Sequence, residues 1–271
     1  MHAAPPSSLP ESASAVTPRI LIVEDDAAVA RLWRDFLVRR GMQAQAVASA
    51  EEAQRKLCET SFDLLVLDLR LQGRMDGLGL LGAMAARALP PVILVSAYLT
   101  AEVVARAVRL RAAKVLRKPC PADDLYLSAR WVLLPAHYRS PVAFLRSQFR
   151  LVRSLAHLSR IVEQHPRTLT RHIKAQTGHT FDALLSELRV QEAERLLLET
   201  DLTINKIAAR LHFTLRGLER ALKRRTGATP RQYRGRALGR VGGSSVGGQD
   251  VAQAEARAWR PRARPDARLR P

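Results

Sequence analysis

Residues 62–70 read FDLLVLDLR, a short, mostly apolar run from Phe62 to Leu67 that stops at Asp68. A run without polar alternation suits a strand covered on both faces, as in a parallel sheet, whereas a strand wet on one side alternates. Working outward, similar runs stand at 20–23, 92–95 and 114–116, with a weaker one at 43–48. Helix-length amphipathic segments separate and follow them at 28–40, 50–59, 78–88, 101–110 and 122–134. This fivefold βα alternation predicts a doubly wound α/β domain with a five-stranded parallel sheet.

In such a sheet, functional groups gather where strands reach its carboxyl edge. The first strand runs into Glu24-Asp25-Asp26, the third into Asp68, the fourth into Ser96 and the fifth into Lys118-Pro119. Clustered carboxylates repel one another unless a cation joins them, and a hard divalent ion such as Mg2+ is satisfied by carboxylate, carbonyl and water oxygens. The Asp68 carboxylate can then act as nucleophile toward a phosphoryl group. Lys118 can pair with the developing charge, and the Ser96 hydroxyl can hydrogen-bond the product. A metabolic aspartyl-phosphate hydrolase does not fit, because Asp68-Leu69-Arg70 lacks the second Asp that would serve as general acid.

The motifs LIVEDD, LLVLDLR, MDG, ILVSA and LRKP stand in that order, with 43 residues from Asp25 to Asp68, 28 to Ser96 and 22 to Lys118. In this, residues 19–134 resemble the receiver domain of bacterial response regulators. The resemblance implies a flavodoxin-like fold with Asp68 as phosphoacceptor and Glu24 and Asp25 as the acidic pair. It implies Mg2+ held by Asp25, Asp68 and the backbone carbonyl of Arg70, with Ser96 and Lys118 as switch residues. Two departures stand out. The loop LRLQGRMDG has Gln72 where the family commonly has Pro, and one extra residue before Met75, which predicts altered geometry on the metal side. Val115 replaces a common Tyr or Phe and cannot swing a ring inward, which predicts a signal either weakened or passed by packing alone.

Beyond Pro135 the pattern becomes all α, with helical periodicity at 144–164, 168–176, 181–199, 204–211 and 216–225. The charge shifts too: the chain's formal net charge is +19, of which residues 135–271 hold a surplus of 16 and residues 19–134 only 4. Such a surplus suits a polyanion, because phosphates reward Lys and Arg through counterion release. LTRHIKAQTG (169–178) and LERALKRRTG (218–227) repeat at an offset of 49, with five identities in ten. Each copy ends in the Thr-Gly of a helix C-cap and follows a shorter helix, at 157–162 and 204–211, as in two helix-turn-helix units.

Leu188 to Arg234 carries the T-I-x-x-I-A start, Phe213 and the G-x-T-P-x-x-Y-R close, and so resembles the AraC-type DNA-binding domain, here 151–235. The resemblance puts Arg167, Thr170 and Arg171 on the groove face of the first recognition helix, and Arg216, Glu219 and Arg220 on that of the second. Arg can read guanine and Glu cytosine. Lys174, Lys223, Arg224 and Arg225 fall to the phosphates, while Leu169, Ile173, Leu218 and Leu222 fall to the core. Glu163 and His212 occupy turn positions where Gly is common, so each turn is either distorted or stabilised by other contacts.

Cys58 and Cys120 form neither a CxxC pair nor a disulfide framework. The start has no signal-peptide pattern, and no stretch approaches the roughly 18 apolar residues of a membrane span, so a cytoplasmic protein without membrane contact is expected. Residues 1–18 read as a disordered leader, 135–150 as a linker with the first helix, and 236–271 as a basic tail. Together the halves imply a response regulator, not an enzyme beyond its own phosphotransfer and autodephosphorylation, with a sensor histidine kinase, double-stranded DNA and a second copy as partners. The alternative is a constitutive AraC-type factor whose pseudo-receiver serves only dimerisation or protein interaction.

Overall fold

The computed structural model describes residues 17–241 apart from Ala86 and Ala88; the expected leader and tail lie almost wholly outside the described residues. Strands β1 (Arg19–Val23), β2 (Gln43–Val47), β3 (Leu64–Asp68), β4 (Val92–Ser96) and β5 (Lys114–Arg117) form one parallel sheet in the order β2-β1-β3-β4-β5. They alternate with α1 (Ala27–Val38), α2 (Ala50–Glu59), α3 (Gly77–Ala83), α4 (Ala101–Arg109) and α5 (Ala122–Leu133). Strand β3 is buried at every position because both its faces are covered. Ile20, Ile22 and Val66 join a cluster with α1 and α5, while Leu21, Val23 and Leu65 join one with α2, α3 and α4. Each such side chain contributes roughly 1.5–3 kcal/mol. Edge strand β2 alternates exposed and half-buried residues, which explains its weak hydrophobic signal.

Side chains at the sheet's carboxyl edge start the helices that frame the crevice. Asp26 accepts from the backbone N–H groups of Ala28 and Val29, Asp76 from Gly79 and Thr100 from Val103; such caps satisfy otherwise orphaned donors. Helix α3 ends at Ala83, short of the expected residue 88. Gly79 and Gly82 weaken its helical preference, and Pro90 lies shortly beyond.

The carboxyl half is entirely helical among the described residues: α6 (Pro141–Gln148), α7 (Leu155–Val162), α8 (Pro166–Thr177), α9 (Phe181–Glu199), α10 (Ile204–Arg210), α11 (Leu215–Thr226) and α12 (Pro230–Val241), with a 3-10 turn at Ala136–Tyr138. The helix expected over 144–164 is broken in two. Ser154 caps a fresh start by accepting from His157 N, yet the apolar pattern continues because α6 and α7 feed one core. By backbone contacts, residues up to Glu192 with Arg210–His212 form one compact unit, and the remaining described residues form the other.

Glu163 and His212 adopt left-handed conformations, with φ of 54° and 57°. A non-glycine residue there costs about 1–2 kcal/mol, so other contacts offset it. Lys114 Nζ lies 3.2 Å from Glu163 Oε1, and His212 Nε2 lies 3.0 Å from the carbonyl oxygen of Arg150. The turns are regular in shape and stabilised by other residues.

Candidate functional site

The order β2-β1-β3-β4-β5 reverses direction between β1 and β3, which opens a crevice at their carboxyl ends. Glu24 and Asp25 follow β1, and Asp68 closes β3. One carboxylate oxygen from each of the three lies within 4.8 Å of the others. Glu24 and Asp68 are buried, and Asp25 is half-exposed. Lys118 reaches in from beyond β5 and donates to Glu24 Oε1 at 2.8 Å and to Asp68 Oδ2 at 2.5 Å. Asp68 Oδ1 accepts from Arg70 N at 3.0 Å, so protein donors engage both oxygens of Asp68.

Burial pushes the Glu24 carboxyl above its ordinary range, with help from the Asp68 charge; the hydrogen bond from Lys118 opposes this without reversing it. Burial also pulls Lys118 down, but its hydrogen bonds to Asp68 and Glu24 more than compensate, and its ammonium is held above the usual value. One cation is therefore shared by two buried acids. The site stays acidic overall, and its donor set of three carboxylates fits a hard divalent ion.

Ser96 ends β4, buried, with its hydroxyl committed to the loop beyond. Ser96 Oγ accepts from Tyr98 N at 3.1 Å and donates to Tyr98 O at 3.3 Å. The Tyr98 ring is exposed, and the Arg70 guanidinium lies 4.3 Å from its centre, a cation–π contact joining the loops after β3 and β4. The loop with the extra residue turns a backbone donor to the acidic pocket: Gln72 N donates to Asp25 Oδ2 at 3.2 Å. The neighbours of Arg70 and Tyr98 lie on different loops, so no local pattern announced their contact.

In the carboxyl half, Arg167, Thr170, Arg171 and Lys174 share one exposed stripe of α8, at the i, i+3, i+4 spacing of a helix face. Leu169 and Ile173 occupy its buried side. Arg216, Glu219, Arg220 and Lys223 form the corresponding exposed stripe of α11, opposite buried Leu218 and Leu222. Thr170 Oγ1 donates to the carbonyl of Pro166 in its own helix. Arg225, at the end of α11, pairs with Glu194 of α9 at 2.8 Å. Arg234 in the close of the motif donates to the carbonyls of Leu197 and Leu202 at 3.2 and 2.6 Å. It ties α12 to the end of α9.

Residues 20–130 match the family model of the response regulator receiver domain, and residues 158–236 match that of a helix-turn-helix domain. The chain joins a receiver domain to a helix-turn-helix domain. Over 120 residues it is 36% identical to the alginate biosynthesis transcriptional regulatory protein AlgB of Pseudomonas aeruginosa, covering 44% of this chain and 26% of that one. Over 77 residues it is 34% identical to the regulatory protein VirG of Agrobacterium fabrum, covering 28% of this chain and 30% of VirG. The chain thus spans about a quarter to a third of the length of these relatives. Among solved structures, the receiver domain of NtrX from Brucella abortus is similar at 32% identity, covering 42% of this chain and 97% of that one with a TM-score of 0.39. In the receiver domain, the crevice brings Glu24, Asp25, Asp68 and Lys118 together, while Ser96 faces the next loop. Among the described residues no helix is long and apolar enough to cross a membrane.

Proposed function

We propose that this chain is a DNA-binding response regulator of a two-component phosphorelay, in which a sensor histidine kinase phosphorylates Asp68 and thereby changes occupancy of specific DNA. The observation that carries this reading is the buried Asp68 carboxylate, within 4.8 Å of two further acids and bridged to Glu24 by Lys118, in a chain that continues into a helix-turn-helix domain. Attack by Asp68 on the phosphorus of a phosphohistidine forms the P–O bond as the P–N bond breaks, and the imidazole leaves with a proton. Lys118 is within reach of the arriving oxygens. Ser96 can exchange its bonds to Tyr98 for one to the phosphoryl group. When bound by Asp25, Asp68, Glu24 and the Arg70 carbonyl, Mg2+ supplies charge neutralisation for the acidic pocket.

We assign residues 19–134 to the receiver and 151–235 to an AraC-type DNA-binding domain. Arg167, Thr170, Arg171, Arg216, Glu219 and Arg220 read bases, and Lys174 and Lys223 hold phosphates. The protein works in the cytoplasm as a homodimer and is no enzyme beyond its own phosphotransfer and dephosphorylation. Incubating the full chain with acetyl phosphate and Mg2+ tests this reading. Labelling labile to alkali and hydroxylamine is expected for the wild type and none for Asp68→Asn; labelling that survives the substitution moves the acceptor elsewhere.

A further inference from the structure

Lys114 opens β5 ahead of Val115 and Leu116, and its side chain is only 2% exposed. Its ammonium donates to the carbonyls of Arg160 and Ile161 at 2.9 and 2.8 Å and to Glu163 Oε1 at 3.2 Å. Those carbonyls belong to the last turn of α7, where helix carbonyls have no partner within the helix. Glu163 is the left-handed residue through which the chain leaves α7 for α8. Lys114, reaching over from β5, thus caps the open carbonyls of α7 with its side chain.

The other end of α7 is held from α5. Asp124 takes an ion pair from Arg153 and lies 3.0 Å from His157 Nε2 and 3.8 Å from Arg160 Nη2. His157 is buried, and its Nδ1 accepts from Arg153 N, which leaves the hydrogen on Nε2, facing Asp124. A carboxylate beside the first turn and an ammonium beside the last match the dipole of this eight-residue helix. A cleft of about 720 Å³ runs alongside, lined in part by Arg117, Cys120 and Glu163.

We propose that Lys114 and Asp124, both outside the matched helix-turn-helix residues 158–236, are positioning residues for DNA reading by α8. They fix α7 and the Glu163 turn, and through them the angle at which α8 is presented. The receiver then supplies part of the first helix-turn-helix unit. This inference rests on the DNA-binding reading.

The full-length wild type, Lys114→Met, Asp124→Asn, Arg171→Ala and Arg220→Ala are each used to select duplexes from a randomised DNA library, and base preferences are read by sequencing. Both positioning variants are expected to lose the preferences lost by Arg171→Ala, with about tenfold weaker binding to the wild-type sequence, while keeping those lost by Arg220→Ala. Wild-type preferences throughout, or an equal loss in both sets, overturn the proposal. Hydrogen exchange without DNA supplies a second arm: Lys114→Met should speed exchange at residues 163–168 by clearly more than at β1 and β3, whose amides report only the loss of global stability. Unchanged exchange in that turn, or the same acceleration everywhere, also overturns it. If the wild type selects no sequence, the DNA-binding reading fails, and the exchange arm still decides whether Lys114 holds the turn.

Discussion

A Cβ added to Gly77 would lie 2.3 Å from the carbonyl oxygen of Asp68 and 3.0 Å from Leu69 Cα. Backbone cannot retreat as a flexible side chain can, so Gly77→Ala must push the peptide of Asp68 itself. Overpacking of this kind costs about 1–3 kcal/mol. Gly77→Ala is expected to lower stability by that amount in urea and to slow labelling of Asp68 by acetyl phosphate. Gly82, with nothing within 4 Å of an added Cβ, is the control: alanine there should stabilise by roughly 0.5–1 kcal/mol with labelling unchanged. Equal behaviour of the two variants contradicts the close approach. Glu24, Asp68 and Lys118 could be read from the sequence because strand ends converge wherever strands are parallel. The reason for Gly77 could not, since it depends on two loops passing at van der Waals distance. Nor could the commitment of Ser96 to Tyr98, a choice of partner made by loop geometry.

At the scale of an element, α7 shows how charge sets the pH range of a contact. Burial alone would raise the Asp124 carboxyl, but His157, Arg153 and Arg160 outweigh it and hold its pKa below the ordinary 3.8. A carboxylate depressed in the folded state contributes stability that is complete above 3.8 and is lost as pH falls through the lower folded value. Urea titrations of the wild type and Asp124→Asn should therefore show a stability gap at neutral pH that closes below pH 3.8. A gap that persists into acid would mean that the carboxylate charge is not what holds α7. The helices were legible as apolar periodicity, but the break at 149–154 was not. Periodicity records which face is buried, and α6 and α7 bury theirs in the same cluster. The left-handed turns at Glu163 and His212 were legible only as missing glycines, because the residues that support them are distant in the chain.

For the whole molecule, composition located the change from α/β to all-α near Pro135 and the basic surplus beyond it, but it says nothing about where one core stops. A single hydrophobic cluster runs from Ile20, Ile22 and Val66 of the sheet through Trp131 of α5 and Phe144 of α6 to Leu158, Ile173 and Leu184. Trp131 and Phe144 meet edge to face, with ring centres 5.3 Å apart. Within this unit, unfolding should be cooperative across the boundary that the two family matches suggest. Ile173 of α8 is fully buried, and truncating such a side chain to alanine costs about 2–5 kcal/mol. If sheet and helices unfold together, Ile173→Ala removes that amount from the slowest-exchanging amides of β1 and β3, which then exchange about thirtyfold faster or more. Native-state hydrogen exchange resolved by peptide measures this directly. Faster exchange in α7 and α8 with unchanged β1 and β3 would show two parts that unfold independently, and the receiver would then have no thermodynamic hold on α8.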